Sequence, residues 1–402
     1  MARIMVIAGG MWQCPIVKAA KKMGHYVICT NLYEDSPAFQ FADVGLVANV
    51  LDKQKNLEIA VKYKPDAVLT EQSDIAVPTV AYVAEQLGLK GIGVETAKRF
   101  TNKYKMREFM RDAGIVTPMY RLCRTVDEAA DFLKEAPVSI IKPLDSQSSR
   151  GIHIVRSRED ISKNYDDCIQ YSNAEKAILI EEFIDGTEFT VDGVKTSSGY
   201  YVTAISEKEH YKHNPSVASR LLFTNHSDKY DYDRLRKENE SMIASMGLPF
   251  GLTHTEYKYK DGKFYLIETA ARGGGTKISS DITTLVSGIN CNELYLNILT
   301  GGSDKIIKAA HHECAVLGFF DFKPGIIREI SGIDEAGNLP GVHEMKLEVK
   351  VGDLLEQAQD DRSRCGYYIV YADSLEELNY RERRLKETVR VVTENEYYRE
   401  NH

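Results

Sequence analysis

Two acids, Glu256 and Glu268, bracket the run EYKYKDGKFYLIE. Its alternating apolar and polar residues meet at Asp261-Gly262, the signature of a β-hairpin. Register decides whether the acids cooperate. A two-residue turn pairs Lys260 with Lys263, sets Glu256 opposite Ile267 and sends Glu268 to the other face. A three-residue turn with a left-handed Gly262 shifts the pairing by one and leaves the two acids as diagonal neighbours on one face. Diagonal neighbours lie roughly 7–8 Å apart, within reach of one shared cation. Two hard oxygen donors with open positions suit Mg²⁺ carrying nucleotide phosphates. Arg272 follows, then Gly273-Gly274-Gly275, a bare backbone expected to let a second substrate approach closely.

Upstream, Lys142 ends the strand-like SIIKP and precedes DSQSSRG, a small hydroxyl-rich loop closed by Gly151. Backbone N–H groups and serine hydroxyls in such a loop can cradle phosphate oxygens, although the spacing is not that of a P-loop. Lys103 in TNKYKM is a second candidate cation. In AILIEEFIDGTEFTVD, Asp185-Gly186 turns the chain after Glu181-Glu182-Phe183-Ile184. That turn is a natural hinge, whose backbone can bond a planar base while a nearby acid holds ribose hydroxyls.

In that order, these features resemble the ATP-grasp superfamily of carboxylate–amine and carboxylate–thiol ligases. The resemblance covers residues 1–300 well and the remainder more loosely, and it extends to the biotin-carboxylase-like, purine-biosynthetic and L-amino acid ligase branches. It implies that Lys103 and Lys142 bind the nucleotide phosphates, and that Ser146, Ser148, Ser149 and Gly151 belong to a mobile loop over them. Glu181, Glu182, Phe183 and Ile184 would line the adenine, with Glu188 on the ribose. Glu256 and Glu268 would hold the metal, and Arg272 would brace the transferring phosphoryl group, with Lys142 as its catalytic partner. The implied cofactors are ATP and Mg²⁺, with Mn²⁺ as a substitute. One departure concerns the second acid: where the family often carries an Asn ligand two residues later, this chain has Ala270.

The implied chemistry accounts for the inventory. A carboxylate is a poor acyl donor because oxide would have to leave. Phosphorylation by ATP turns it into an acyl phosphate that an amine can attack. Cations must first offset the repulsion between two anions, and a lid must keep water from the acyl phosphate. No protein nucleophile is needed, and no Ser/His/Asp or Cys/His set stands out.

These groups must be positioned by folded elements, and 402 residues allow two to four domains. RIMVIA, HYVICT and PDAVLT read as strands alternating with helices, so a parallel-sheet α/β domain is expected over 1–98. Pro15 opens its first helix and Gly24 stops it. Ile92 to Val94 reads as a short strand, and TAKRFTNKYKMREFMRDAGI as one basic amphipathic helix. The fold expected over 99–302 is an ATP-grasp core with an antiparallel sheet, carrying a small α+β lid over 119–182. Residues 303–402 read as a C-terminal α+β part ending in the helix LEELNYRERRLKETVRVV. The first turn, AGGMWQ, lacks the second half of a dinucleotide fingerprint.

Apolar residues make up 43% and charged residues 27% of the chain, the profile of an ordinary globular protein. The net charge of −8 argues against a nucleic-acid surface. Seven scattered cysteines without a C-x-x-C pair argue against a disulfide framework or zinc site. With no apolar run of membrane-spanning length and no signal-like start, a cytoplasmic homodimer with small carboxylate and amine substrates, and with no nucleic-acid or membrane partner, is expected. Three functions compete: an amide- or peptide-forming ligase, a purine-pathway ligase such as phosphoribosylglycinamide synthetase, and a nucleotide-binding regulator without turnover. Against the purine enzyme, the first turn is AGGMWQCP rather than the Gly-Gly-Arg-Glu-His type. His210, Lys212, His213 and Arg220 read as a solvated loop in preference to a substrate-carboxylate patch, Ser279 or Asp281 could meet substrate at a helix start, and HEMKLEV around Lys346 reads as an ordinary strand rather than a biotin site.

Overall fold

The computed structural model describes residues 1–394 apart from 147–149, 174 and 216. Ser148 and Ser149 therefore lie outside the described residues. The N-terminal strand Arg3–Ile7 is almost wholly apolar, as befits a parallel strand covered on both faces. Its residues alternate between two cores: Ile4 and Val6 pack with Ile16, Val17 and Leu296, whereas Met5 and Ile7 pack with Ile28, Ala60 and Val83. The parallel sheet runs in the order Val44–Val47, Tyr26–Asn31, Arg3–Ile7, Ala67–Leu69. The chain thus reverses direction across the sheet beside Arg3–Ile7, which opens a crevice at the carboxyl ends of Arg3–Ile7 and Ala67–Leu69.

Two local expectations need correction. Ile92 to Val94 is not a strand. Gly93 takes a left-handed φ of 83°, the Val94 N–H goes to the Glu85 carboxylate at 3.2 Å, and helix Val94–Thr101 begins there. The basic run is also two helices, because Asn102 leaves the helical region and its side chain accepts the Lys105 N–H at 3.0 Å, capping Lys103–Asp112.

The small module is a four-stranded antiparallel sheet in the order Tyr120–Cys123, Ile178–Glu182, Ser139–Pro143, His153–Val155. Helices Val126–Phe132 and Arg158–Ile169 close one face over Phe132, Ile141, Ile161 and Ile180. The larger sheet has eight strands, ordered Lys263–Ala270, Gly251–Lys260, Thr187–Thr196, Gly199–His210, Ala218–Thr224, Cys314–Phe319, Gly366–Ala372, Val342–Leu347. The C-terminal strands continue the sheet that carries Glu256 and Glu268. Helix Tyr232–Met246 covers its back against Phe189, Val191, Ile205, Tyr257 and Phe264. Each fully buried aromatic there stabilises the fold by about 2–3 kcal/mol. The last helix, Leu375–Thr388, is shorter than the sequence pattern implied. Its β-branched tail becomes the strand Arg390–Thr393, paired with Gly325–Ser331. All seven cysteines are free, and no helix among the described residues is long and apolar enough to cross a membrane.

Candidate active site

The hairpin matches neither register considered from sequence. Asp261 and Gly262 both have positive φ, 49° and 76°, so the turn has two residues and Lys260 pairs with Lys263. Yet Glu256 pairs directly with Glu268, because the ladder shifts after Tyr257–Leu266 and Ile267 is extruded as a bulge. Two bonds from outside the hairpin fix it: the Arg107 guanidinium donates to the Ile267 carbonyl, and the Leu266 N–H donates to Val116 at 2.9 Å. Directly opposed residues share a face, so both carboxylates project to the same side of the sheet.

Strand Thr187–Thr196 adds Glu188, Thr190 and Asp192 to that face, while Phe189 and Val191 point into the back core. Lys208 lies between Glu188 and Glu256, 2.6 and 2.7 Å from their oxygens. Burial alone would raise both carboxyls. The Lys208 ammonium outweighs it, joined at Glu188 by His210 and Lys258 and at Glu256 by His254. Glu188 is held at about 2, and Glu256 well below the usual carboxylate range. Burial would likewise strip the proton from His254, but Asp192, 2.9 Å from Nδ1, lifts it to about 9. This imidazole is therefore a cation at neutral pH.

A second cluster joins the lid to the core. Arg107 and Lys142 grip the two oxygens of Glu181 at 2.5 and 2.6 Å. Burial favours the acid form of Glu181, yet the two cations pull it down to about 2. Its side chain is fully buried and engaged by these two cations, and its backbone lies in the strand paired with Tyr120 on one side and Ile140 on the other. Lys103 donates to Glu268 at 2.7 Å and to the Ser146 carbonyl at 2.9 Å, linking the candidate metal face to the loop after Lys142. Gly151 is packed against Tyr171. The Glu182 and Phe183 N–H groups donate to Met119 and Val138. Ile184 is buried, and the Phe183 ring lies 5.3 Å under the Lys258 ammonium.

The triple glycine is not the open approach that the sequence suggested. A Cβ on Gly273 would stand 2.4 Å from Glu71 Oε1 and 2.3 Å from Ser279 Cβ. One on Gly274 would stand 2.6 Å from Asp192 Oδ1. The protein's own side chains fill these spaces, and only Gly275 faces open volume. The Gly274 N–H donates to Asp192 at 3.1 Å, and the Ser279 hydroxyl donates to Glu71 at 2.8 Å. Arg272 spends Nε and Nη2 on Asp74, at 2.9 and 2.5 Å, and donates Nη1 to the Gly273 carbonyl. Strain gathers at this junction: Ala8, Gln72, Thr276 and Lys277 all have positive φ.

The alternative of a carboxylate patch beyond Glu188 finds no assembled set. His210 approaches Glu188 at 3.4 Å, but His213 bonds the Ala358 carbonyl and Arg220 is clamped by Glu382 and Glu209. Ser279 is buried in a π-helical turn, Ile278–Ile282, and Asp281 bonds His343 at 3.0 Å. Lys346 pairs with Glu348 in strand Val342–Leu347. Sequence reasoning missed Glu71, Asp74, Arg107, Asp192, Lys208 and His254. The period-two alternation of EFTVD and of SEKEH carried a signal for Asp192 and Lys208. Nothing local marked Glu71, Asp74 or Arg107.

The donor set bears on a metal. Among the described residues, no group of three or more His, Cys, Asp and Glu side chains is placed to hold an ion. Two carboxylates on one face, each already beside a lysine ammonium, fit a cation that brings its remaining oxygen ligands from a phosphate and water, as Mg²⁺ commonly does. Ala270 offers no third ligand.

Residues 135–281 match the family model described as ATP-grasp domain, and residues 318–394 match L-amino acid ligase C-terminal domain 2. The alanine–anticapsin ligase of Bacillus subtilis is 27% identical over 274 residues, 62% of this chain and 57% of that protein. The chain spans roughly half to two thirds of the length of the curated relatives it matches. The fold superposes on a crystal structure of L-amino acid ligase from Bacillus licheniformis with a TM-score of 0.79, 22% identity and coverage of 98% and 99% of the two chains. It also superposes on phosphoribosylglycinamide synthetase from Anaerococcus prevotii with a TM-score of 0.76, 19% identity and coverage of 98% and 100%.

Proposed function

We propose that this member of the ATP-grasp superfamily joins a carboxylate to an amine at the expense of ATP, through an acyl phosphate, forming an amide or peptide bond. The observation that carries the reading is the direct pairing of Glu256 with Glu268 on the sheet face that Lys103 ties to the loop after Lys142. Glu256 and Glu268 would hold Mg²⁺, or Mn²⁺ in its place, which when bound offsets phosphate charge. Lys103 and Lys142 orient the phosphates once these displace the carboxylates they now bond. Arg272, held by Asp74, keeps further N–H donors for the transferring phosphoryl or acyl oxygens. Ser146 and Gly151 flank the loop that would exclude water, and the backbone from Glu182 to Ile184 receives the base, with Glu188 near the ribose.

The match of residues 318–394 to an L-amino acid ligase domain supports amino acids as substrates. The reading also carries a homodimer in the cytosol. The test is ADP and phosphate release with pooled amino acids and, separately, with phosphoribosylamine plus glycine. Stimulation by an amino-acid pair is expected. Stimulation only by phosphoribosylamine with glycine moves the protein to the purine branch, and ATP binding without release under either pool makes it a regulator.

A further inference from the structure

An amine enters such a site as an ammonium and must lose a proton before its lone pair can attack. The acids around the site differ in their partners. Glu188 and Glu256 bond Lys208, Glu268 bonds Lys103, Glu181 bonds Arg107 and Lys142, Asp74 bonds Arg272, and Asp192 bonds His254. A carboxylate bonded to a cation is a weak base. Among the described residues, Glu71 alone of this set bonds no cation. It follows strand Ala67–Leu69 at the crevice where the parallel sheet reverses order, and it is fully buried. Gln13 holds its carbonyl at 2.6 Å, and Ser279 fixes Oε1 at 2.8 Å. The other oxygen, Oε2, is buried and makes no hydrogen bond among the described residues. Unsatisfied buried oxygens are costly and uncommon. The same carboxylate lies beside Gly273 through its Oε1, next in the chain to Arg272.

We propose that Glu71 is the general base that takes the proton from the amine substrate, at its unpartnered Oε2. The inference rests on the ligase reading above. One ammonium proton passes to Glu71, and the freed nitrogen pair forms the C–N bond. The acyl C–O bond breaks with its electrons on phosphate, and the second nitrogen proton leaves with that phosphate. Burial pushes Glu71 up to about 7, against the lowering effects of the Ser279 hydroxyl, the Gln72 amide and Arg272 and with the raising effect of Asp192. A base tuned near ambient pH is the efficient one. Cys291 and Tyr295, on the helix packed behind it, feel its charge and are themselves held neutral by burial.

Hydroxylamine tests this, because it is already a free base at neutral pH and traps acyl phosphates without surrendering a proton first. For Glu71→Gln, amide formation with an amino-acid acceptor should fall by about 10²–10⁴-fold relative to hydroxamate formation. Glu71→Asp should restore part of that ratio. Equal losses in both products, or no loss, overturn the proposal. Should Glu71→Gln not fold, the unaltered protein decides: the amino-acid rate must rise through a limb near pH 7 that is absent with hydroxylamine, and a shared limb overturns the proposal. If the unaltered protein yields neither product and no ADP with any carboxylate, the ligase reading itself fails and takes this inference with it.

Discussion

Glu256 stands directly opposite Glu268 across a hairpin whose two-residue turn should have put them on opposite faces. The discrepancy is absorbed by Ile267, whose bulged carbonyl is held by Arg107. If this pair holds Mg²⁺, Glu268→Gln should raise the Mg²⁺ concentration needed for half-maximal ADP release by about 10-fold or more. A Mg²⁺ titration at fixed ATP measures it. An unchanged midpoint removes Glu268 from the metal site.

Glu181 neutralises two buried cations. Glu181→Ala leaves both unpaired and should cost about 3–5 kcal/mol, read as a lower midpoint in urea unfolding. Its carboxyl is depressed to about 2, so its contribution is complete above the unfolded value of 4.5 and is lost as pH falls toward 2. The gap between the two proteins should therefore narrow only under acid conditions.

The glycines make opposite predictions within one tripeptide. Gly273→Ala would drive a methyl group into Glu71 and Ser279 and should destabilise the fold by about 1–3 kcal/mol. Gly275→Ala meets nothing and should melt within a degree or two of the unaltered protein. Equal melting temperatures for both variants would contradict the packing described.

Asp74 lies 198 residues before Arg272 and holds it with two bonds. Asp74→Asn should release the guanidinium and lower kcat by about 10-fold with the KM for ATP little changed, the pattern of a lost transition-state contact. Steady-state kinetics with ATP as the varied substrate separates that from a binding defect.

Glu71 favours its proton in the folded state, about 7 against an ordinary 4.5. Its stabilising effect is complete below 4.5 and is lost as pH rises through 7. The melting temperature of Glu71→Gln should match that of the unaltered protein near pH 5 and exceed it near pH 8. Parallel melting curves across that range would show that Glu71 titrates normally.

The sequence by itself determined most of the elements and the residue types for the chemistry, though not the helix start at Val94, the break at Asn102 or the strand after Thr388. Continuous apolar strands between helices dictate a parallel sheet, alternating residues dictate half-buried antiparallel strands, and Asp261-Gly262 dictates a hairpin. Backbone sterics and burial act over a few residues, so these patterns are local and legible. The face on which Glu268 lies, the contents of the space beside Gly273 and Gly274, and the partner of Arg272 were decided by tertiary structure alone. Arg107, Glu71 and Asp74 reach those positions from distant parts of the chain, and no short-range period records which buried charge will meet which.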